Sequence, residues 1–110
     1  MSNVYKKTVK QAAGRRALLE QLAEESNELA IASLKLIRAE NLSNNPTPTN
    51  ANEALANFHE ELADVVMVLD SLGFIPLLKI VIDHNDNNPK WERWAKRIEA
   101  AREENDGSER

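Results

Sequence analysis

Several residue types that would narrow the function of this chain are absent or scarce. Cysteine is absent from the 110 residues, which excludes disulfides and thiolate metal sites and fits a reducing, cytoplasmic compartment. The first residues carry no apolar run, and no stretch approaches the roughly 18–20 apolar residues of a membrane span. We therefore expect no secretory signal and no membrane association. Basic residues are too few for a cationic surface, since the net charge is -4, so we expect no nucleic-acid partner.

The spacing of apolar residues predicts helices over most of the chain. Its length suits a single domain, 1–110, with a modest core. Residues 1–14 are polar, and no helix is expected there. A first long helix is expected over about 15–42, where leucines recur on one side: Leu18, Leu22, Leu29 and Leu36. Breakers and cap formers at 43–50 predict a loop. A second helix follows over about 51–72, apolar nearly all round near its end, as a buried central helix is.

In the last third of the chain the spacing of apolar residues does not by itself distinguish helix from strand. Residues 75–83 fit a short helix, because Pro76 suits a first turn, or a strand, because 80–82 are β-branched. We favour the helix, since a lone strand has nothing to pair with. A last helix is expected over about 89–103. The fold class is therefore all-α, a bundle of about four helices whose thin core is completed by dimerisation.

Two pairs of acids stand out on the two long helices. Glu25 and Glu28 form one pair, Glu61 and Asp64 the other, and each pair is three residues apart on one side of its helix. At about 100° per residue, Glu25 falls inside the apolar arc and Glu24 outside it. Antiparallel packing would bring the pairs face to face, where Mg²⁺ would relieve their repulsion. The alternative is that all four are ordinary solvated helix charges.

The same acids carry a resemblance to a known family. Glu-Glu-x-x-Glu at 24–28 and Glu-x-x-Asp at 61–64 resemble the signature of MazG-like all-α nucleoside triphosphate pyrophosphohydrolases, and the resemblance covers about 15–72. It implies cleavage of a (d)NTP to a (d)NMP and pyrophosphate, in a house-cleaning role, by a homodimer or homotetramer. Carried over by position, the ligands of Mg²⁺, or of Mn²⁺ in its place, would be Glu25, Glu28, Glu61 and Asp64.

Four other residues are candidates for contacting the substrate: Lys35, Asn57, Lys90 and Arg93. Lys35 lies two turns after Glu28 and could reach a phosphate, or pair with Glu28 instead. Asn57 shares the side of Glu61 and could contact the base or sugar. Lys90 and Arg93 resemble the basic C-terminal helix of phage-type members, although they could equally be a solvated stripe.

Two rival functions stay open at this point. One is a non-catalytic helical interaction module, against which the presence of all four acids argues. The other is a related all-α phosphohydrolase that acts on a phosphoribosyl nucleotide. The base pocket, which the sequence does not fix, would decide the second. The third segment departs from the family pattern, with Pro76 and residues 83–88 in place of a Lys-Asn pair, so phosphate contacts beyond the four acids do not carry over from the family. Neither the preferred base nor the number of metal ions follows from the residues.

Overall fold

The computed structural model describes residues 2–40 and 50–108, and helices account for nearly all of them. Within those ranges the chain forms five α-helices, one 3₁₀ helix and no strand. The elements are α1 (Ser2–Ala12), α2 (Arg15–Ala39), α3 (Ala51–Ser71), α4 (Ile75–Asp83), a 3₁₀ turn (Asn85–Asn87) and α5 (Lys90–Ser108). The all-α prediction is confirmed. The helix expected over 75–83 is confirmed, and its strand alternative is wrong. The predicted loop at 43–50 lies, except for Asn50, outside the described residues.

The first helix contradicts the sequence interpretation, which left residues 1–14 without a helix. Gly14 does not interrupt α1; it follows the helix and stands at the N-cap of α2. The helix is held by partners distant in sequence. Lys6 and Lys10 both reach Asp70 of α3, with Nζ–Oδ distances of 2.5 and 3.0 Å. Tyr5 and Val9 of α1 also line a cavity with Met67 of α3. The sequence interpretation gave weight to the polar character of residues 1–14 and to Gly14, and so it missed the helical spacing of Tyr5 and Val9.

The ends of α3 follow from local chemistry. Oδ1 of Asn50 accepts hydrogen bonds from the backbone N–H groups of Asn52 and Glu53, at 2.8 and 3.3 Å, which caps the helix. At the other end Gly73 adopts φ 79°, a left-handed conformation that glycine adopts most easily. The N–H of Phe74 then bonds to the carbonyl of Leu69, which completes a Schellman motif and stops the helix.

Helices α2 and α3 form the main packed pair of the molecule. Leu18, early in α2, lines a cleft with Leu72 just after α3, while Glu25 lies beside Asp64. Going along α2 from Leu18 to Glu25, the neighbouring residue in the second part of the pair moves back from Leu72 to Asp64. The two helices are therefore antiparallel, the arrangement that lets acids on one helix face acids on the other. In the described residues the buried side chains are few and mostly small: Leu18, Ala32, Ala54 and Val68.

The chain divides into two compact units, Met1–Ile75 and Pro76–Arg110. The second unit contains α4 from Pro76 onward, the 3₁₀ turn and α5. Within it, Nε1 of Trp91 donates a 2.7 Å hydrogen bond to the carbonyl of Asn85, and Oδ1 of Asn88 accepts one from the N–H of Lys90. The single domain expected over 1–110 stays a prediction.

No single helix among residues 2–40 and 50–108 is long and apolar enough to cross a membrane. Helices α3 and α4 pass that test of length and composition only when they are joined as one broken span.

Candidate metal centre

Three carboxylates meet where α2 and α3 pack against each other. Glu25 comes from α2, and Glu61 and Asp64 come from successive turns of α3. One oxygen from each lies within 4.8 Å of the others, and all three residues are half-buried. Two helices are needed to build this cluster, because residues three apart on one helix supply only two neighbouring side chains. The antiparallel register of α2 and α3 brings in the third acid. We call these three residues the acidic cluster.

Glu28, the fourth predicted ligand, lies beside the acidic cluster. It is exposed, and its oxygens are not among those within 4.8 Å of one another. Its charge nevertheless contributes to raising the pKa of Glu61. Glu24 and Glu60, which helical geometry directs outward, are both exposed. The structure thus brings three of the four acids together and leaves Glu28 at their margin.

The electrostatics of the acidic cluster appear most clearly at Glu61. Partial desolvation raises the pKa of Glu61 above its ordinary value, and the charges of neighbouring acids raise it further. In decreasing order of effect these neighbours are Asp64, Glu28, Glu25 and Glu60. Ionisation of Glu61 is therefore opposed by the like charges around it. A divalent cation would offset the repulsion between these carboxylates and would favour the ionised form of Glu61.

The donor set of the acidic cluster suits a hard cation. It offers carboxylate oxygens from three residues, the ligand type that Mg²⁺, Mn²⁺ and Ca²⁺ prefer. Mg²⁺ in particular is bound by few carboxylates and keeps positions for water and substrate phosphates. The residues present therefore fit the Mg²⁺ that the family resemblance implies.

Comparison of the chain with protein-family models, with curated proteins and with solved structures found no match. The functional interpretation of the acidic cluster therefore depends on its own geometry and on the resemblance carried by residues 24–28 and 61–64.

Gln21 also contacts this site, although the sequence interpretation gave it no role. Its Nε2 donates a 2.7 Å hydrogen bond to Oε1 of Glu25, one helical turn away. The signal in the sequence was a glutamine four residues before a glutamate, a spacing that permits such a bond on any helix. That pattern is common, so only the position of Glu25 in the acidic cluster distinguishes this pair.

The predicted substrate-contacting residues are distributed over both units. Lys35 is exposed on α2, and among the described residues it forms no ion pair with Glu28. Asn57 is half-buried on α3, one turn before Glu61. Lys90 and Arg93 are exposed on α5, where together with Lys96 and Arg97 they line a shallow depression of about 570 Å³. A second depression, of about 460 Å³, adds Trp94 to the lining of this basic surface.

Proposed function

We propose that this chain is a Mg²⁺-dependent nucleoside triphosphate pyrophosphohydrolase, converting a (d)NTP to a (d)NMP and pyrophosphate. The observation that carries the proposal is the convergence of Glu25, Glu61 and Asp64 on oxygens within 4.8 Å of one another. Sequence spacing alone placed these acids on two helices. Their meeting across the helix pair is what a shared cation requires, and solvated surface acids gain nothing from such an approach.

The reaction adds water across the phosphoanhydride between the α- and β-phosphates. A water oxygen forms a bond to the α- or β-phosphorus, and the bond from that phosphorus to the bridging oxygen breaks, so that the bridging oxygen leaves with the other fragment. The products are the nucleoside monophosphate and pyrophosphate, and the two protons of the water pass to product oxygens or to solvent. A bound Mg²⁺ would polarise the phosphoryl oxygens and offset the charge on the leaving group. The chain's own part is to hold three carboxylates in place, with Glu28 near enough to add negative charge. Lys35 and Asn57, on the same two helices, are the candidates for contacting the nucleotide.

We also propose that the functional unit is a homodimer or a dimer of dimers. The described part of α2 and α3 buries only four side chains, whereas eight large apolar ones on these helices remain exposed to solvent: Leu19, Ile31, Leu34, Ile37, Leu55, Leu62, Val66 and Met67. A monomer rarely leaves so much apolar surface uncovered. A second copy would bury it in a shared helical core, because a closed dimer presents the same apolar helices twice.

The activity test is a panel of canonical and modified (d)NTPs, and a phosphoribosyl nucleotide, each incubated with the protein and Mg²⁺. We expect a nucleoside monophosphate and pyrophosphate from one or a few (d)NTPs, and no turnover with EDTA. The matched variants are Glu25→Gln, in the acidic cluster, and Glu24→Gln, its exposed neighbour. Orthophosphate as product, turnover of the phosphoribosyl nucleotide alone, or no turnover at all would refute the proposal.

A further inference from the structure

Gln21 contacts Glu25 of the acidic cluster from one helical turn away on α2. Its Nε2 lies 2.7 Å from Oε1 of Glu25. A carboxylate has only acceptors, so the amide nitrogen, and not the amide oxygen, faces Glu25. One lone pair of Oε1 receives this hydrogen bond, and the carboxylate keeps its other accepting positions. Glu25 can therefore accept from Gln21 and still face Glu61 and Asp64.

This hydrogen bond limits the conformations of a side chain that would otherwise rotate freely. Glu25 is half-buried and approaches two other negative charges, so electrostatic repulsion favours rotamers that turn it away from Glu61 and Asp64. A donor on the preceding turn of α2 favours a rotamer in which the carboxylate stays in place. Carboxylates that ligate metals are generally held by such outer hydrogen bonds.

The chemical type of the donor is as informative as its position. A lysine or arginine at residue 21 could also donate to Glu25, but its positive charge would compete with a cation for the same carboxylate. The neutral amide of Gln21 orients Glu25 without neutralising it. A charged donor with the same four-residue spacing occurs elsewhere on α2, where Nε of Arg16 lies 3.0 Å from Oε1 of Glu20. That ion pair is exposed and lies outside the acidic cluster.

We propose that Gln21 is a positioning residue, whose amide holds the Glu25 carboxylate toward Glu61 and Asp64 for a divalent cation. The inference rests on the proposed function, because it takes the acidic cluster to be the cation site. It goes beyond that function in assigning a role to a neutral residue outside the acid motif.

The test measures Mn²⁺ binding directly, by electron paramagnetic resonance of free Mn²⁺ and by calorimetry. Gln21→Met keeps the size and helix propensity of the side chain but removes the donor. Gln21→Lys keeps a donor but adds a charge. Arg16→Met removes the equivalent contact to Glu20 and serves as the control. Circular dichroism and thermal unfolding in EDTA establish that each variant is folded.

We expect Gln21→Met to raise the Mn²⁺ dissociation constant about tenfold, the lower end of the effect of losing an outer hydrogen bond, since Gln21 is exposed. Gln21→Lys should weaken binding at least as much, whereas a purely helix-stabilising role would tolerate lysine. Arg16→Met should bind like wild type. If either Gln21 variant binds Mn²⁺ within about twofold of wild type, or more tightly, the positioning role is wrong. If wild type itself binds no Mn²⁺, the proposed function fails instead.

Discussion

Neutralising Glu25 should have opposite effects on stability with and without metal. Oxygens of Glu25 and Asp64 lie within 4.8 Å of each other. Two unit charges at that distance repel by about 1 kcal/mol in water and by about 3.5 kcal/mol at an effective dielectric constant of about 20. Because both residues are only half-buried, the lower figure applies. Glu25→Gln should therefore stabilise the metal-free protein by about 1 kcal/mol, or roughly 4–8 °C in Tm.

Metal should reverse the order of stability. A cation that binds only the folded state adds about 2.7 kcal/mol when its concentration is about a hundred times Kd. Wild type should gain this increment from Mg²⁺ or Mn²⁺, and Glu25→Gln should gain little of it. Glu25→Gln should therefore be more stable than wild type in the absence of metal, and wild type should be more stable than Glu25→Gln in saturating metal.

The assay is thermal unfolding followed by circular dichroism, in EDTA and across a Mg²⁺ titration, with hydrolysis measured on the same samples. Glu24→Gln is the control, because it makes the same change one residue away on an exposed side chain. It should stay within about 0.5 kcal/mol of wild type, keep the metal response and keep activity. If Glu24→Gln and Glu25→Gln behave alike in both conditions, the acidic cluster is an ordinary set of surface charges.

Three further outcomes can be measured. Asp70→Asn should free α1, seen as faster amide hydrogen exchange over residues 2–12. Lys6 and Lys10 lower the pKa of Asp70 below its ordinary value of 3.8, so the advantage of wild type over Asp70→Asn should be full above that pH and disappear as the pH falls further. Unchanged exchange would contradict the ion-pair account. Asn50→Ala should cost about 1 kcal/mol through loss of the cap, without changing Mn²⁺ affinity. Leu55→Glu should halve the mass seen by light scattering, and a monomeric wild type would refute the dimer.

The long helices could be predicted because their patterns are repeated many times. The leucines of α2 and the apolar stripe of α3 each recur over several turns, so that a single ambiguous residue changes little. The two ends of α3 could also be predicted from local residue types. Asn50 is a favourable N-cap residue, and Gly73 readily adopts the left-handed conformation that ends a helix. Helix α1 has only 11 residues, so its apolar pattern repeats fewer times than the patterns of α2 and α3. Its attachment depends on Asp70, far away in sequence, and no local pattern could reveal that partner.

From the sequence one could predict the side of its helix on which each acid lies, but not the distances between acids on different helices. Rotation of about 100° per residue separates Glu25 from Glu24, and the exposure of Glu24 agrees with this. It does not separate Glu28 from the acidic cluster. That difference depends on the relative register of α2 and α3, which the sequence of one helix alone does not determine.

The packing of α2 on α3 also explains why the acidic cluster can exist on so small a core. Two of the buried residues of this helix pair, Ala32 and Ala54, are alanines, and small side chains at a helix contact permit a short distance between helix axes. The acidic cluster of Glu25, Glu61 and Asp64 forms on the same helix pair. The few, mostly small side chains buried in the described residues contribute little apolar area, so burial gives the helix pair little stability with which to oppose the repulsion of its acids. A bound cation would supply attraction where the apolar core is thin. In the proposed enzyme, cofactor binding and folding stability would then be coupled through these three carboxylates.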